Sequence, residues 1–328
     1  MKFLLLTNCE FVDSWFDCLY AGLLGCGHIV HIIPDRSYLH VESPNSKFEY
    51  SFPANDYSLD SIQQNIVESF YDFLVIGSIY PELEDGKYID IIEKFKNVIV
   101  VYQAHDYPES YDYKKIINKP FIEFRKEIPI GLESQYYGMV HPNREKYLIK
   151  IFPDKFLDIC GILGAKCYLD GALSPTETKR RFVCELLQKD FQNSLVLSNM
   201  CVDFNSFAKL TSFAWIGLNL KGLGEQNSRY YEIPSFQSFL LTENVNSVIP
   251  NDFIENVHKV SFFIPEDYKE TLEWYKELKD TIKNLLSNKN ELKEKIIASF
   301  EYTKIFHSLE YNTNRFLEII NDPEHKGR

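Results

Sequence analysis

Arg229 and Glu232 are the side chains whose types and spacing point most directly to chemistry. They stand in Asn227-Ser228-Arg229-Tyr230-Tyr231-Glu232, just past the loop glycines Gly222 and Gly224. A separation of three places both on one helix face if a helix starts near Asn227, a residue type favoured at the N-cap. The open N–H groups of a helix start, together with Arg229, can meet an anion. Glu232, one turn on, can accept hydrogen bonds from sugar hydroxyls. An anion site beside a carboxylate is what a nucleotide-sugar diphosphate needs. The plainer alternative is an exposed ion pair contributing about 0.2–0.5 kcal/mol.

The chain has no D-x-D pair, G-x-x-x-x-G-K-(S/T) loop, G-x-S-x-G elbow or H-E-x-x-H. Charge developing on a leaving diphosphate would then be met by protein cations and helix N–H groups, without a metal. Arg229 is the first choice, with Asn227 and Ser228 as neutral donors and Lys221 as a second cation. A second constellation is His105-Asp106, which follows the apolar run Val98-Ile99-Val100-Val101. Loops at the carboxyl ends of parallel strands are where α/β proteins place ligands. The pair there can polarise or deprotonate an acceptor hydroxyl, or be an ordinary turn with a capping histidine. Gly25-Cys26-Gly27 is set aside as a cofactor loop, because it follows a helix and precedes a strand. It reads as a helix C-cap.

These residues need a scaffold, and the hydropathy pattern supplies an α/β one with parallel sheets. Buried strands are expected at Phe3–Leu6, Ile29–Ile33, Phe73–Ile76, Val98–Val101, Phe156–Gly161, Ser194–Leu197, Ala214–Leu220 and Phe239–Leu241. Helices are expected between them, opened by Ser58 and by the capping box Ser174-Pro175-Thr176-Glu177. On the latter helix Phe182, Leu186 and Leu187 should face inward, leaving Arg180 and Arg181 on the wet face or one of the two reaching the cleft. Residues 121–142 and 244–264 show no sustained period. Three helices follow, carrying Leu272–Leu285, Leu292–Phe300 and Phe316–Ile320.

The segment 227–243 resembles the pattern N-x-R-x-(F/Y)-E-(I/A)-(P/A)-x-x-G-x-(F/L)-L-L-T-E of spore-maturation-type (CgeB-like) glycosyltransferases, relatives of the family 4 retaining enzymes. Asn227, Arg229, Tyr231, Glu232, Ile233, Pro234 and Leu240-Leu241-Thr242-Glu243 match, while Gln237 replaces the glycine. That replacement bears on the tightness of helix–strand packing. The resemblance is specific over residues 212–320 and diffuse before them. It implies a GT-B fold, two Rossmann-like parallel-sheet domains facing a cleft, with C-terminal helices crossing back to the first. It assigns Glu232 to ribose hydroxyls and His105 and Asp106 to the acceptor side. Ile128-Pro129-Ile130-Gly131-Leu132-Glu133 is similar to the family's P-x-G-x-(D/E) segment near the crossing. Lys166, in a glycine loop, falls near the donor phosphates, or is a solvated lysine.

The expected domains are an acceptor-side one over residues 1–145, a donor one over 146–303 and a returning helix over 304–328. The expected function is metal-independent, retaining transfer of a sugar from a nucleotide-diphosphate donor, with no further cofactor. The acceptor is open: a glycan, small molecule, protein or lipid headgroup. The alternative is a non-catalytic shell that binds sugar nucleotides or proteins; a nicotinamide oxidoreductase ranks last, because strand one lacks the fingerprint loop. The net charge of −12 argues against nucleic acid as a partner. No run approaches the roughly 18 apolar residues of a membrane span. Seven cysteines without a C-x-x-C pair suit a reducing, cytoplasmic setting.

Overall fold

The computed structural model describes residues 1–7, 14–34, 58–103, 111–132, 135–139, 152–163, 174–198, 202–222, 224 and 226–323. They belong to two compact units. Unit one is Met1–Pro142 with Ser247–Pro250 and Ser308–Arg328; unit two is Asn143–Asn246 with Asn251–His307.

Unit one is built on β1 (Lys2–Leu6), β2 (Ile29–Ile33), β3 (Phe73–Ile76), β4 (Val98–Gln103), β5 (Ile122–Arg125), β6 (Ile128–Pro129) and β7 (Tyr137–Gly138). All but β6 form one parallel sheet in the order β2-β1-β3-β4-β5-β7. Phe3 to Leu6, Leu74 to Ile76 and Val100 to Tyr102 are wholly buried, as expected of apolar runs covered on both faces. Helices α1 (Ser14–Gly25), α2 (Leu59–Val67), α3 (Tyr80–Glu84) and α4 (Ile89–Lys94) make the connections. Ser58 caps α2 through its Oγ, which accepts the Ser61 N–H at 3.1 Å. Gly27, at φ 77°, closes α1 as the expected C-cap. The residues without a sustained period hold β5 to β7. Glu123 and Arg125 interrupt the apolar run of β5 but pair with each other at 2.7 Å, which lets a short strand be buried.

Unit two follows with β8 (Leu157–Leu163), α5 (Pro175–Asp190), β9 (Ser194–Ser198), α6 (Phe204–Ser212), β10 (Ala214–Asn219), α7 (Arg229–Ser235) and β11 (Phe239–Glu243). The chain then gives β12 (Ser247–Val248), which pairs antiparallel with β6 in unit one. In unit two again are β13 (Lys259–Phe262), α8 (Glu273–Ser287) and α9 (Lys289–Phe306), and α10 (Leu309–Asn321) belongs to unit one. The five-stranded sheet of unit two is parallel, in the order β13-β11-β10-β8-β9. Its last strand, β13, falls in the stretch without a period. Lys259 opens that strand buried, its ammonium held by Asp252 at 2.7 Å and the Tyr230 hydroxyl at 2.6 Å.

Two glycines set close packing. A Cβ on Gly22 would stand 1.9 Å from Thr313 Oγ1, so α1 meets α10 over a bare backbone. A Cβ on Gly217 of β10 would stand 2.4 Å from Ile233 Cγ2, so α7 lies directly on the strand. Helix α7 ends in a Schellman motif: Ser238 N–H donates to Ile233 O at 3.3 Å and Gln237 N–H to Pro234 O at 3.0 Å. Gln237 sits in the left-handed region at φ 55°. The tight helix–strand contact thus belongs to Gly217, and position 237 is the left-handed residue just past the C-cap, Phe236. Lys155 joins this end to that of α6, its ammonium donating to Ser212 O at 2.7 Å and to Gln237 O.

Candidate functional site

In unit two the chain leaves β8 for β9 on one side and then crosses to β10 on the other. The connections after β8 and β10 therefore diverge, and the crevice at their carboxyl ends is where open α/β sheets bind ligands. Arg229 reaches this point. Its Nε donates to Ile162 O, near the end of β8, at 3.0 Å, and its guanidinium stands 5.7 Å from the Phe207 ring centroid. The arginine is half-buried, so its position is set by contacts to β8 and α6.

Asn227 shapes the approach to α7. Its Nδ2 donates to Leu220 O at 3.0 Å and its Oδ1 accepts the Arg229 N–H at 3.0 Å. The N–H groups of Tyr230, Tyr231 and Glu232 donate to Asn227 O and Ser228 O. This corrects the expectation that open N–H groups here meet an anion: the first-turn donors are already taken, and α7 has only 7 residues. Ser228 is half-buried at the cap position and makes no side-chain cap. Glu232 is buried in the first turn of α7.

Lys221 follows β10, half-buried; its N–H donates to Glu243 Oε2 at 3.0 Å. Glu243 ends β11, and its Oε1 accepts from Lys179 Nζ at 2.6 Å. Arg180, only 6% exposed, donates from Nε to Lys221 O at 3.1 Å and from Nη2 to Leu220 O at 3.3 Å. Its Nη1 meets Glu177 Oε1 at 2.8 Å. The expectation that Arg180 lies on the wet face is thereby corrected, while Arg181 is exposed and pairs with Glu185. The buried stripe of α5 is Glu177, Arg180, Val183, Cys184 and Leu187. Of the two arginines, one of which could reach the cleft, Arg180 is the one turned in; Glu177 and Glu243 were missed as members of this face, and the i,i+3 spacing of the capping-box Glu177 and Arg180 was the available signal. At the end of β10, Asn219 is buried, donates from Nδ2 to Thr242 Oγ1 at 3.0 Å and has no partner for its Oδ1 among the described residues.

His105, Asp106 and Lys166 lie outside the described residues. The flanks of the His105-Asp106 segment are described. Gln103, buried at the end of β4, accepts the Tyr111 N–H at 2.7 Å and donates to Tyr111 O at 3.2 Å. It also donates to Glu123 at 3.1 Å. Burial pushes the Glu123 carboxyl up, against the lowering effect of Arg125.

No family model matches the chain, and no curated protein matches it by sequence. Solved structures do match. An alpha-glucosyltransferase in complex with UDP-glucose and DNA containing an abasic site superposes with a TM-score of 0.59 at 10% identity, over 98% of this chain and 99% of that one. A glycosyltransferase from Rickettsia africae gives 0.60 at 11%, over 97% of each chain. HepE from Anabaena, in complex with UDP and glucose, gives 0.57 at 10%, over 98% and 99%. The likeness is one of fold, and it runs the length of the chain: the α/β architecture with two parallel sheets is the GT-B architecture of these glycosyltransferases.

The same comparison corrects the exclusion of nucleic acid, since a protein of this fold is seen holding DNA. The exclusion failed because net charge is a whole-chain sum. A phosphate senses mainly the cations within a Debye length, about 8 Å at physiological salt, so −12 over 328 residues leaves a local surface undetermined.

Proposed function

We propose that this chain is a glycosyltransferase that moves a sugar from a uridine-diphosphate donor, bound by unit two, to a hydroxyl of an acceptor. The carrying observation is the contact between Arg229 and Ile162 O, which sets a guanidinium at the divergence of the connections after β8 and β10. Arg229, with Lys221, meets the diphosphate and stabilises charge as the leaving group departs. Asn227 holds the start of α7, Ser228 supplies a neutral donor and Glu232 accepts from ribose hydroxyls. His105 and Asp106 serve the acceptor. UDP and UDP-glucose in the structures of like fold support the uridine donor.

Kinship with CgeB-like and family 4 enzymes, supported by the motif at 227–243, carries with it retention at the anomeric carbon. The lack of D-x-D supports a donor site without a metal, which undiminished turnover in EDTA would bear out. Buried thiols support a reducing compartment, the cytoplasm: burial pushes Cys160 up to about 11 and Cys184 up to about 12.

Titration calorimetry with UDP and with pyrophosphate tests the assignment. Arg229→Ala should weaken both by about tenfold or more, the worth of a charge-assisted hydrogen bond. Glu232→Ala should weaken UDP alone. A wild-type chain that binds no nucleoside diphosphate would refute the reading. Turnover is then sought with glycans, lipid headgroups, peptides, small hydroxylic molecules and duplex DNA.

A further inference from the structure

Arg180, Glu177 and Glu243 lie at the carboxyl end of the unit-two sheet, and the reaction as proposed gives them no role. They hold one piece of backbone, the turn Leu220–Lys221, from two sides. Arg180 donates to both of its carbonyls. Glu243 accepts the Lys221 N–H and is itself fixed by Lys179. Leu220 O also accepts from Asn227 Nδ2 at 3.0 Å, so both of its lone pairs are used. The series runs from Glu177 through Arg180 and Leu220 O to Asn227, whose Oδ1 accepts the Arg229 N–H. It joins the turn bearing Lys221 to the helix start bearing Arg229.

Fold stability does not account for the arrangement. Desolvating a buried ion pair costs as much as its attraction returns, and apolar side chains of the same volume serve a core as well. Among the described residues, Glu177 also keeps a buried Oε2 without a partner, a cost that a purely structural pair would shed.

We propose that Arg180, anchored by Glu177, and Glu243 are positioning residues of the donor site. They hold Lys221 and Arg229 at the spacing of a diphosphate. The inference rests on the donor reading given above and predicts discrimination by phosphate number. In the full chain, Glu243→Gln and Arg180→Lys should each weaken UDP by about tenfold while changing UMP less than about twofold, because loss of register costs most where two phosphates must be met at once. Arg181→Ala, on the exposed face of α5, should change neither. Calorimetry with UDP and UMP, beside melting temperatures without ligand, gives the answer.

A fall in the UDP-to-UMP affinity ratio supports the proposal. Unchanged UDP binding in both variants overturns it. So does parallel weakening of UDP and UMP with a lowered melting temperature, which marks a merely structural pair. Should Arg180→Lys not fold, the isosteric Glu243→Gln carries the test. A wild type that binds neither UDP nor another nucleoside diphosphate removes the donor reading, and this inference with it.

Discussion

Replacing Gln237 by Gly and by Ala separates backbone conformation from side-chain packing at the end of α7. Both substitutions delete the same buried side chain and keep the backbone carbonyl that accepts from Lys155, so the comparison between them isolates φ. At φ 55° an L-residue carries about 1–2 kcal/mol of left-handed strain that glycine does not. Glycine loses about 0.4–1 kcal/mol of this advantage through the extra freedom of its unfolded chain. The Gly variant should therefore be the more stable of the two by roughly 0.5–1 kcal/mol. Urea unfolding followed by tryptophan emission reads it, with Trp215 and Trp274 both in unit two and a common m-value as the check on comparability. An Ala variant as stable as the Gly variant would refute the Schellman assignment. It would also remove the explanation of why the sequence pattern carries glycine at this place.

Two more outcomes follow from the packing and the buried histidines. Gly217→Ala should destabilise unit two by about 1–3 kcal/mol, because the new methyl meets the branched Ile233 and cannot be accommodated by rotating a flexible tip. Urea unfolding checks this, and adding Ile233→Ala should return part of the loss. Burial lowers the pKa of His31 and of His258, and burial followed by the nearby N-terminus lowers that of His28. Below about pH 6.5 the unfolded chain then binds protons the folded one resists, so stability should fall with pH by up to about 1.4 kcal/mol per unit for each histidine. It should be flat just above. Melting temperatures from pH 5 to 7.5 test this, and His31→Gln, which keeps a partner for the Tyr71 hydroxyl, should reduce the slope.

Apolar continuity made the central strands readable, since runs such as Phe73-Leu74-Val75-Ile76 bury both faces and need no partner to explain them. Caps were readable for the same local reason. Ser174 Oγ accepts the Glu177 N–H at 3.2 Å within its own turn. Elements whose burial depends on distant charges were hidden. The strand Lys259–Phe262 opens with a lysine that is tolerable only because Asp252 and Tyr230 receive it, and Tyr230 comes from a helix some thirty residues earlier in the chain. The open N–H groups expected at the start of α7 failed in the opposite way. The cap position is Ser228 and not Asn227; Asn227 Oδ1 takes the Arg229 N–H and backbone carbonyls take the next three, which removes the donors that a ligand would have used.

The choice between Arg180 and Arg181 shows where local pattern stops being decisive. Helix α5 carries Phe182, Val183, Leu186 and Leu187, a band wide enough to be turned by one residue without loss of apolar contact. Turned toward Phe182 and Leu186, it leaves both arginines wet. Turned toward Val183, Cys184 and Leu187, it buries Arg180, at a desolvation cost that apolar periodicity always counts against it. What reverses the balance is three oxygen acceptors, one from Glu177 a turn earlier and two from carbonyls beyond β10, about 40 positions later. Those carbonyls exist as acceptors only because β10 stops at Asn219 and the chain turns, which frees them from the sheet. The burial of Arg180 is therefore a consequence of the break in β10, at the end of the sheet where the donor site is proposed. For that reason a charged residue buried on this helix is better evidence for a site than any exposed charge beside it.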